Sequence, residues 1–152
     1  MIVIGIDPDA DKYGYATYVD GVLLRLDRLS VVELAYDIAT HRESDSAAVF
    51  VIEDVVANRF MYSRRGIKNA AVATKIAQNV GQCKHAQIVA EQFVAHYGFP
   101  IIRQPPVSGN WAKNKTQFER VTAWSGRSNE DTRSAAFLAF LNLKNATKLA
   151  LK

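Results

Sequence analysis

Four carboxylates occupy positions from which they could meet. Asp7 ends the apolar run Met1-Ile-Val-Ile-Gly-Ile-Asp7, and Glu53 ends Ala47-Ala-Val-Phe-Val-Ile52-Glu53. Glu130 and Asp131 stand at the head of a long apolar-rich stretch near the C-terminus. A carboxylate where a buried strand runs out sits at a fixed, partly desolvated point, where a divalent cation could hold it ionised. Each also has a local reading. Asp7-Pro8 followed by Asp9 and Asp11 suits a turn, and acids in a first helical turn answer the helix dipole.

The elements that must position these groups follow from periodicity. The first run is short and almost wholly apolar, as expected of a strand covered on both faces. Tyr13–Tyr18 and Val22–Leu29 alternate around Asp20-Gly21, a strong hairpin signal, so three strands form an antiparallel meander. Ser30 caps a helix reaching about His41, with Val31, Val32, Leu34, Ala35 and Ile38 as its apolar face. The strand 47–52 follows that crossover and is expected parallel to the first. Asp7 and Glu53 then share one edge of the sheet.

A long helix is predicted from Asn69 to about Tyr97, with Val72, Ile76, Val80, Ile88, Val89 and Phe93 on or near one face. Gly81 in its middle costs about 1 kcal/mol relative to Ala, which suggests close approach of another helix, within the chain or across a dimer axis. A short strand follows Gly98, halted by Pro105-Pro106. A polar loop from Ser108 leads to a short helix at Thr116–Trp124, with Trp111 either a core lid or a stacking ring. Ser128 or Asn129 caps the last helix. His85 and His96 have no ligand-like spacing and read as surface or packing residues.

Composition bounds the class. The 152 residues are 49% hydrophobic and 22% charged, an ordinary globular balance for one domain. No apolar run is long enough for a membrane span, and the N-terminus lacks a signal-peptide pattern. The single cysteine, Cys83, excludes an internal disulfide and a cysteine-built metal site and suits a reducing cytoplasm. The net charge of +4 is unevenly spread. Residues 1–54 hold eleven acids against four bases, whereas 55–129 hold eleven bases against Glu91 and Glu119 alone. A basic middle of that length suggests a polyanion-binding surface. Within it, Arg59, Arg64, Arg65 and Lys68 surround Phe60, Met61 and Tyr62, a pattern suited to gripping phosphates while a ring stacks on or wedges between bases. The bland reading is that Phe60 and Met61 plug a core gap. Lys113 and Lys115 could add phosphate contacts.

Taken in order, Ile4-Gly-Ile-Asp7-Pro8 with Gly14-Tyr15, Val51-Ile-Glu53, Phe60-Met61 before Lys68-Asn-Ala, Gly81-Gln82, Lys113-Asn-Lys-Thr and Glu130-Asp131-Thr-Arg-Ser-Ala-Ala resemble the RuvC-type Holliday-junction resolvases over almost the whole chain. The resemblance implies an RNase H-like α/β fold: a mixed five-stranded sheet, antiparallel meander plus parallel strands, flanked by helices in a single domain, 1–152. It implies Asp7, Glu53 and Asp131 as metal-binding carboxylates. The family's further acid, three positions on, is Ser134 here, so Glu130 or water fills that place, or Glu130 and Asp131 trade roles. It further implies two Mg²⁺ per site, with Mn²⁺ as substitute, activating water and stabilising the leaving 3′-oxygen. A homodimer would cut four-way DNA junctions in recombination and repair, in a bacterial or phage-infected cytoplasm, with no membrane and no small-molecule cofactor. Arg59, Phe60, Met61, Tyr62, Arg64, Arg65, Lys68, Lys113 and Lys115 would contact DNA. A nuclease of flaps or other branched DNA, and a junction-binding protein that has lost catalysis, are the alternatives.

Overall fold

A computed structural model describes residues 1–45, 47–57 and 69–150. The five strands are β1 (Ile2–Asp7), β2 (Tyr13–Val19), β3 (Val22–Leu29), β4 (Ala48–Glu53) and β5 (Ile101–Gln104). The helices are α1 (Val31–Glu43), α2 (Ala70–His96), α3 (Lys115–Thr122) and α4 (Glu130–Ala150), with a 3₁₀ turn at Trp111–Lys113. One mixed sheet runs in the order β3-β2-β1-β4-β5. β1 is antiparallel to β2 and parallel to β4, and β4 is parallel to β5. The expected architecture is the observed one.

Alternation along the central strand sorts its side chains into two cores. Val3, with Val49 and Val51 of β4, packs under α4 together with Trp111 and Phe118. Ile4 and Ile6, with Phe50 and Ile52, pack under α1 and the C-terminal half of α2. By the same parity Asp7 and Glu53 belong to the α4 face. The Ile6–Ile52 pairing puts them next in line at the strand ends.

The Asp20-Gly21 turn has both central residues at positive φ (49° and 82°), the backbone of a type I′ hairpin. Tyrosines of β2 then fasten the layers. The Tyr13 hydroxyl donates to Ala86 O (2.9 Å) on α2, and the Tyr18 hydroxyl donates to Ala136 O (3.2 Å) on α4. The Tyr15 hydroxyl donates to the carboxylate of Asp37 on α1, which Arg25 also engages. α1 opens on Ser30 with a reciprocal capping box to Glu33.

Two sequence expectations change, and one open alternative closes. Val31 and Val32 of α1 are exposed, because the first turn overhangs the sheet and only Leu34 and Ile38 reach the core. On α2 the buried stripe is Ala86, Gln87, Ala90 and Val94, while Val72 and Ile88 are exposed. Only the C-terminal half of that helix lies on the sheet, where small residues permit a close seat. Trp111 is a core residue, 2% exposed, with Phe118, Phe137 and Phe140 rings 5.0–5.8 Å from its own.

Candidate active site

The site forms where β1, β4 and the first turn of α4 meet. Two glycines permit the meeting. A Cβ on Gly5 would lie 2.0 Å from the carbonyl oxygen of Ala135, and one on Gly14 would lie 2.3 Å from that of Asp131. The backbone of α4 therefore rests directly on β1 and β2, and no side chain fits between. Asn129 is the cap: its Oδ1 accepts from Thr132 N (2.9 Å), and Thr132 Oγ1 accepts from Asn129 N (3.0 Å). One turn later the largely buried Arg133 donates to Trp111 O (3.2 Å), Ala112 O (3.0 Å) and Ser128 Oγ (3.2 Å). This cation fixes the 3₁₀ turn, and with it exposed Lys113, beside the head of α4.

The carboxylates interact strongly. Burial, then the neighbouring charge of Glu53, pushes Asp7 up from 3.8 to about 8, with Asp131 and Asp9 adding to the rise and a Ser134 hydrogen bond opposing it. Glu53 is also raised by burial, offset by its hydrogen bond with Asp7. The two share a proton between them in the absence of a compensating cation. Asp131 is raised by burial, opposed by the Arg28 guanidinium. Glu130 is exposed and acts on Asp131 through its charge. The residue three positions after Asp131, Ser134, is the one that touches Asp7.

Two further residues join the cluster. Asp9 pairs with Arg28 (3.6 Å) and lies 3.9 Å from the Cys83 sulfur. Arg28 Nε lies 3.1 Å from Asp131 Oδ2. The Asp-Pro-Asp spacing at a strand end was the available signal for Asp9. Arg28 had none, because its orientation depends on a β-bulge. β2 and β3 pair Thr17 with Arg25 but Tyr18 with Leu23, leaving Leu24 extra. That insertion reverses the alternation of β3 and turns Arg28, opposite Gly14, onto the α4 face.

An all-oxygen donor set of Asp7, Glu53 and Asp131 suits a hard divalent cation, whose charge would offset the burial that raises Asp7 and Glu53. Among the described residues, no three such side chains are already gathered around one point, and Asp131 is paired with Arg28. A groove of about 850 Å³ adjoins the cluster and does not contain it. It runs from Asp9 and Asp11 past Tyr13 to Gly81, Gln82 and His85 of α2. A Cβ on Gly81 would have nothing within 4 Å, so no other helix packs closely there among the described residues.

Lys113 and Lys115 are exposed, and Lys115 pairs with Glu119 (3.4 Å). Arg59, Phe60, Met61, Tyr62, Arg64, Arg65 and Lys68 lie outside the described residues. The approach to their segment is fixed by Gln87, which sequence reading missed. Its amide accepts from Val56 N (2.8 Å) and donates to Asp54 Oδ1 (3.1 Å) and Glu91 Oε1 (2.8 Å). Asp54 is thereby drawn to α2, away from Glu53's role.

No family model matches the sequence, and no curated protein matches it. Among solved structures, RuvC of Thermus thermophilus in complex with a Holliday junction substrate superposes with a TM-score of 0.61 at 15% identity, covering 97% of this chain and 96% of that one. The fold is the RuvC fold. A second Thermus thermophilus RuvC structure gives a TM-score of 0.59 at 16% identity, over 99% and 98% of the two chains. At such identity the likeness concerns the fold. Within that RuvC fold, this chain sets Asp7 and Glu53 at adjacent strand ends and Asp131 in the first turn of α4, against β2 at Gly14.

Proposed function

We propose that this chain, as a single nuclease domain over residues 1–152, is a structure-specific endodeoxyribonuclease. It cuts four-way DNA junctions by paired, metal-dependent nicking and acts as a homodimer in the cytoplasm. The observation that carries the reading is the buried, hydrogen-bonded Asp7–Glu53 pair beside Asp131 in a RuvC fold. Among the described residues no helix is long and apolar enough to cross a membrane.

Asp7, Glu53 and Asp131 would hold divalent cations, with Glu130 as a further carboxylate at the rim. Bound Mg²⁺, or Mn²⁺ in its place, supplies Lewis acidity to the scissile phosphate and the attacking water. The chain's own contribution is positional. Ser134 fixes the Asp7 carboxyl, and burial keeps bulk water from screening the pair. Lys113, at the turn held by Arg133, and Lys115 offer cations to flanking phosphates. The basic, aromatic stretch 59–68 is assigned to gripping and opening the branch point.

A second reading, a junction-binding protein without catalysis, draws on the Arg28–Asp131 pair and the hydroxyl at Ser134. One experiment separates the two. A labelled four-way junction, a flap and a linear duplex are incubated with the protein in Mg²⁺ or EDTA. Symmetric paired nicks in the junction alone, absent in EDTA, support the resolvase. Tight junction binding without nicks in Mg²⁺ or Mn²⁺ favours the second reading, and equal cutting of the flap contradicts junction selectivity.

A further inference from the structure

Arg28 places a positive charge inside an acidic cluster that, on the reading above, serves divalent cations. Its guanidinium spans two carboxylates, Asp131 at 3.1 Å and Asp9 at 3.6 Å. The contact is an ion pair without hydrogen-bond alignment: Arg28 Nε is buried and has no hydrogen-bond acceptor among the described residues. A guanidinium held by charge alone, with an unsatisfied donor, is more readily displaced than one in a bidentate fork. The bulge at Leu24 is what aims it there, and bulges beside active sites commonly re-aim a side chain.

The cluster is thus divided. Asp7 and Glu53 face each other with no cation of the chain between them among the described residues and with a neutral hydroxyl, Ser134, at Asp7. Asp131 and Asp9 already share one. A divalent ion entering the first half meets two carboxylates and the Ser134 hydroxyl, with no positive charge of the described residues between them. An ion entering the second half must move Arg28 or bind beside its charge.

We propose that Arg28 is the resident cation of the Asp131–Asp9 half and limits the DNA-free protein to one tightly held divalent ion, at Asp7 and Glu53. This rests on the metal-dependent reading of the site. Arg28 is a positioning residue here, acting through Asp131.

The test counts ions, not turnover. The full chain, free of DNA at pH 8, is titrated with Mn²⁺ while free Mn²⁺ is followed by its paramagnetic resonance signal. Wild type is expected to take one equivalent tightly and a second at least about tenfold more weakly. Arg28→Gln should tighten the second by about tenfold, the worth of one charge-assisted pair, and Arg28→Lys should keep the wild-type pattern. Two equal sites in wild type, or an Arg28→Gln titration identical to wild type, would overturn the proposal while leaving the metal reading intact. Absence of any Mn²⁺ binding, in wild type and variants alike, would overturn both. Should Arg28→Gln not fold, the Arg28 side-chain ¹⁵N resonance of wild type is followed against Mg²⁺. It should move with the second equivalent, and movement with the first, or none at all, contradicts the proposal.

Discussion

Asp7 concentrates the physics of the site in one side chain. Burial and the Glu53 charge raise its carboxyl to about 8 in the folded protein, as one partner in the proton shared with Glu53, against 3.8 in the unfolded chain. Between those values the native state binds more protons, so stability falls as pH rises through this window and levels off above it. Asp7→Asn removes the penalty. In EDTA at pH 8 the variant should melt about 2–8 °C above wild type, from a gain of about 1–2 kcal/mol, and the two should converge near pH 4. Mg²⁺ should raise the wild-type melting temperature more at pH 8 than at pH 6, because the ion must displace the shared proton. A melting curve series over pH checks both. Arg133 makes the complementary case, a buried cation satisfied by carbonyls of the 3₁₀ turn. Arg133→Leu strands those acceptors and should cost about 2–4 kcal/mol in urea unfolding.

Elements are positioned here by what is absent from them as much as by what they carry. Gly5 and Gly14 let α4 lie on the sheet, and its first turn reaches the carboxylates for that reason. Gly5→Ala drives a methyl group into the Ala135 carbonyl and should destabilise by about 3 kcal/mol or more, by the same unfolding measurement. At this scale much was legible from the chain. The Asp20-Gly21 hairpin, the two apolar strands and their terminal carboxylates rest on local patterns, and each is where periodicity put it. Arg28 was not legible, because one extra residue, Leu24, inverts the alternation without leaving a mark in a run of Val22-Leu-Leu-Arg-Leu-Asp-Arg-Leu. The buried face of α2 was not legible either. Its large apolar residues suggested the core, but a helix that touches the sheet over half its length seats small ones there, Ala86 and Ala90.

Over the whole molecule, the acidic first third supplies Asp7, Asp9 and Glu53, α4 adds Asp131, and the basic middle supplies the surface expected to meet DNA. In the first half of α2, residues 70–82, Ala73, Ile76 and Val80 are half-buried and none is fully buried by the described residues, and Gly81 lies open there. Gly81→Ala should stabilise the isolated helix by about 1 kcal/mol. If the homodimer forms through this segment, the same change weakens association by about tenfold or more in sedimentation equilibrium, and an unchanged dimer assigns the axis elsewhere.

Asp7 and Glu53, on the proposed function, form the working end of a junction nuclease. The most direct test compares wild type, Asp7→Asn and Glu53→Gln on one labelled four-way junction in Mg²⁺, measuring binding and cleavage on the same samples. Wild type should make paired symmetric nicks, with cleavage by either variant reduced about a thousandfold or more while junction binding is retained. Cleavage by either variant at the wild-type rate would contradict that role.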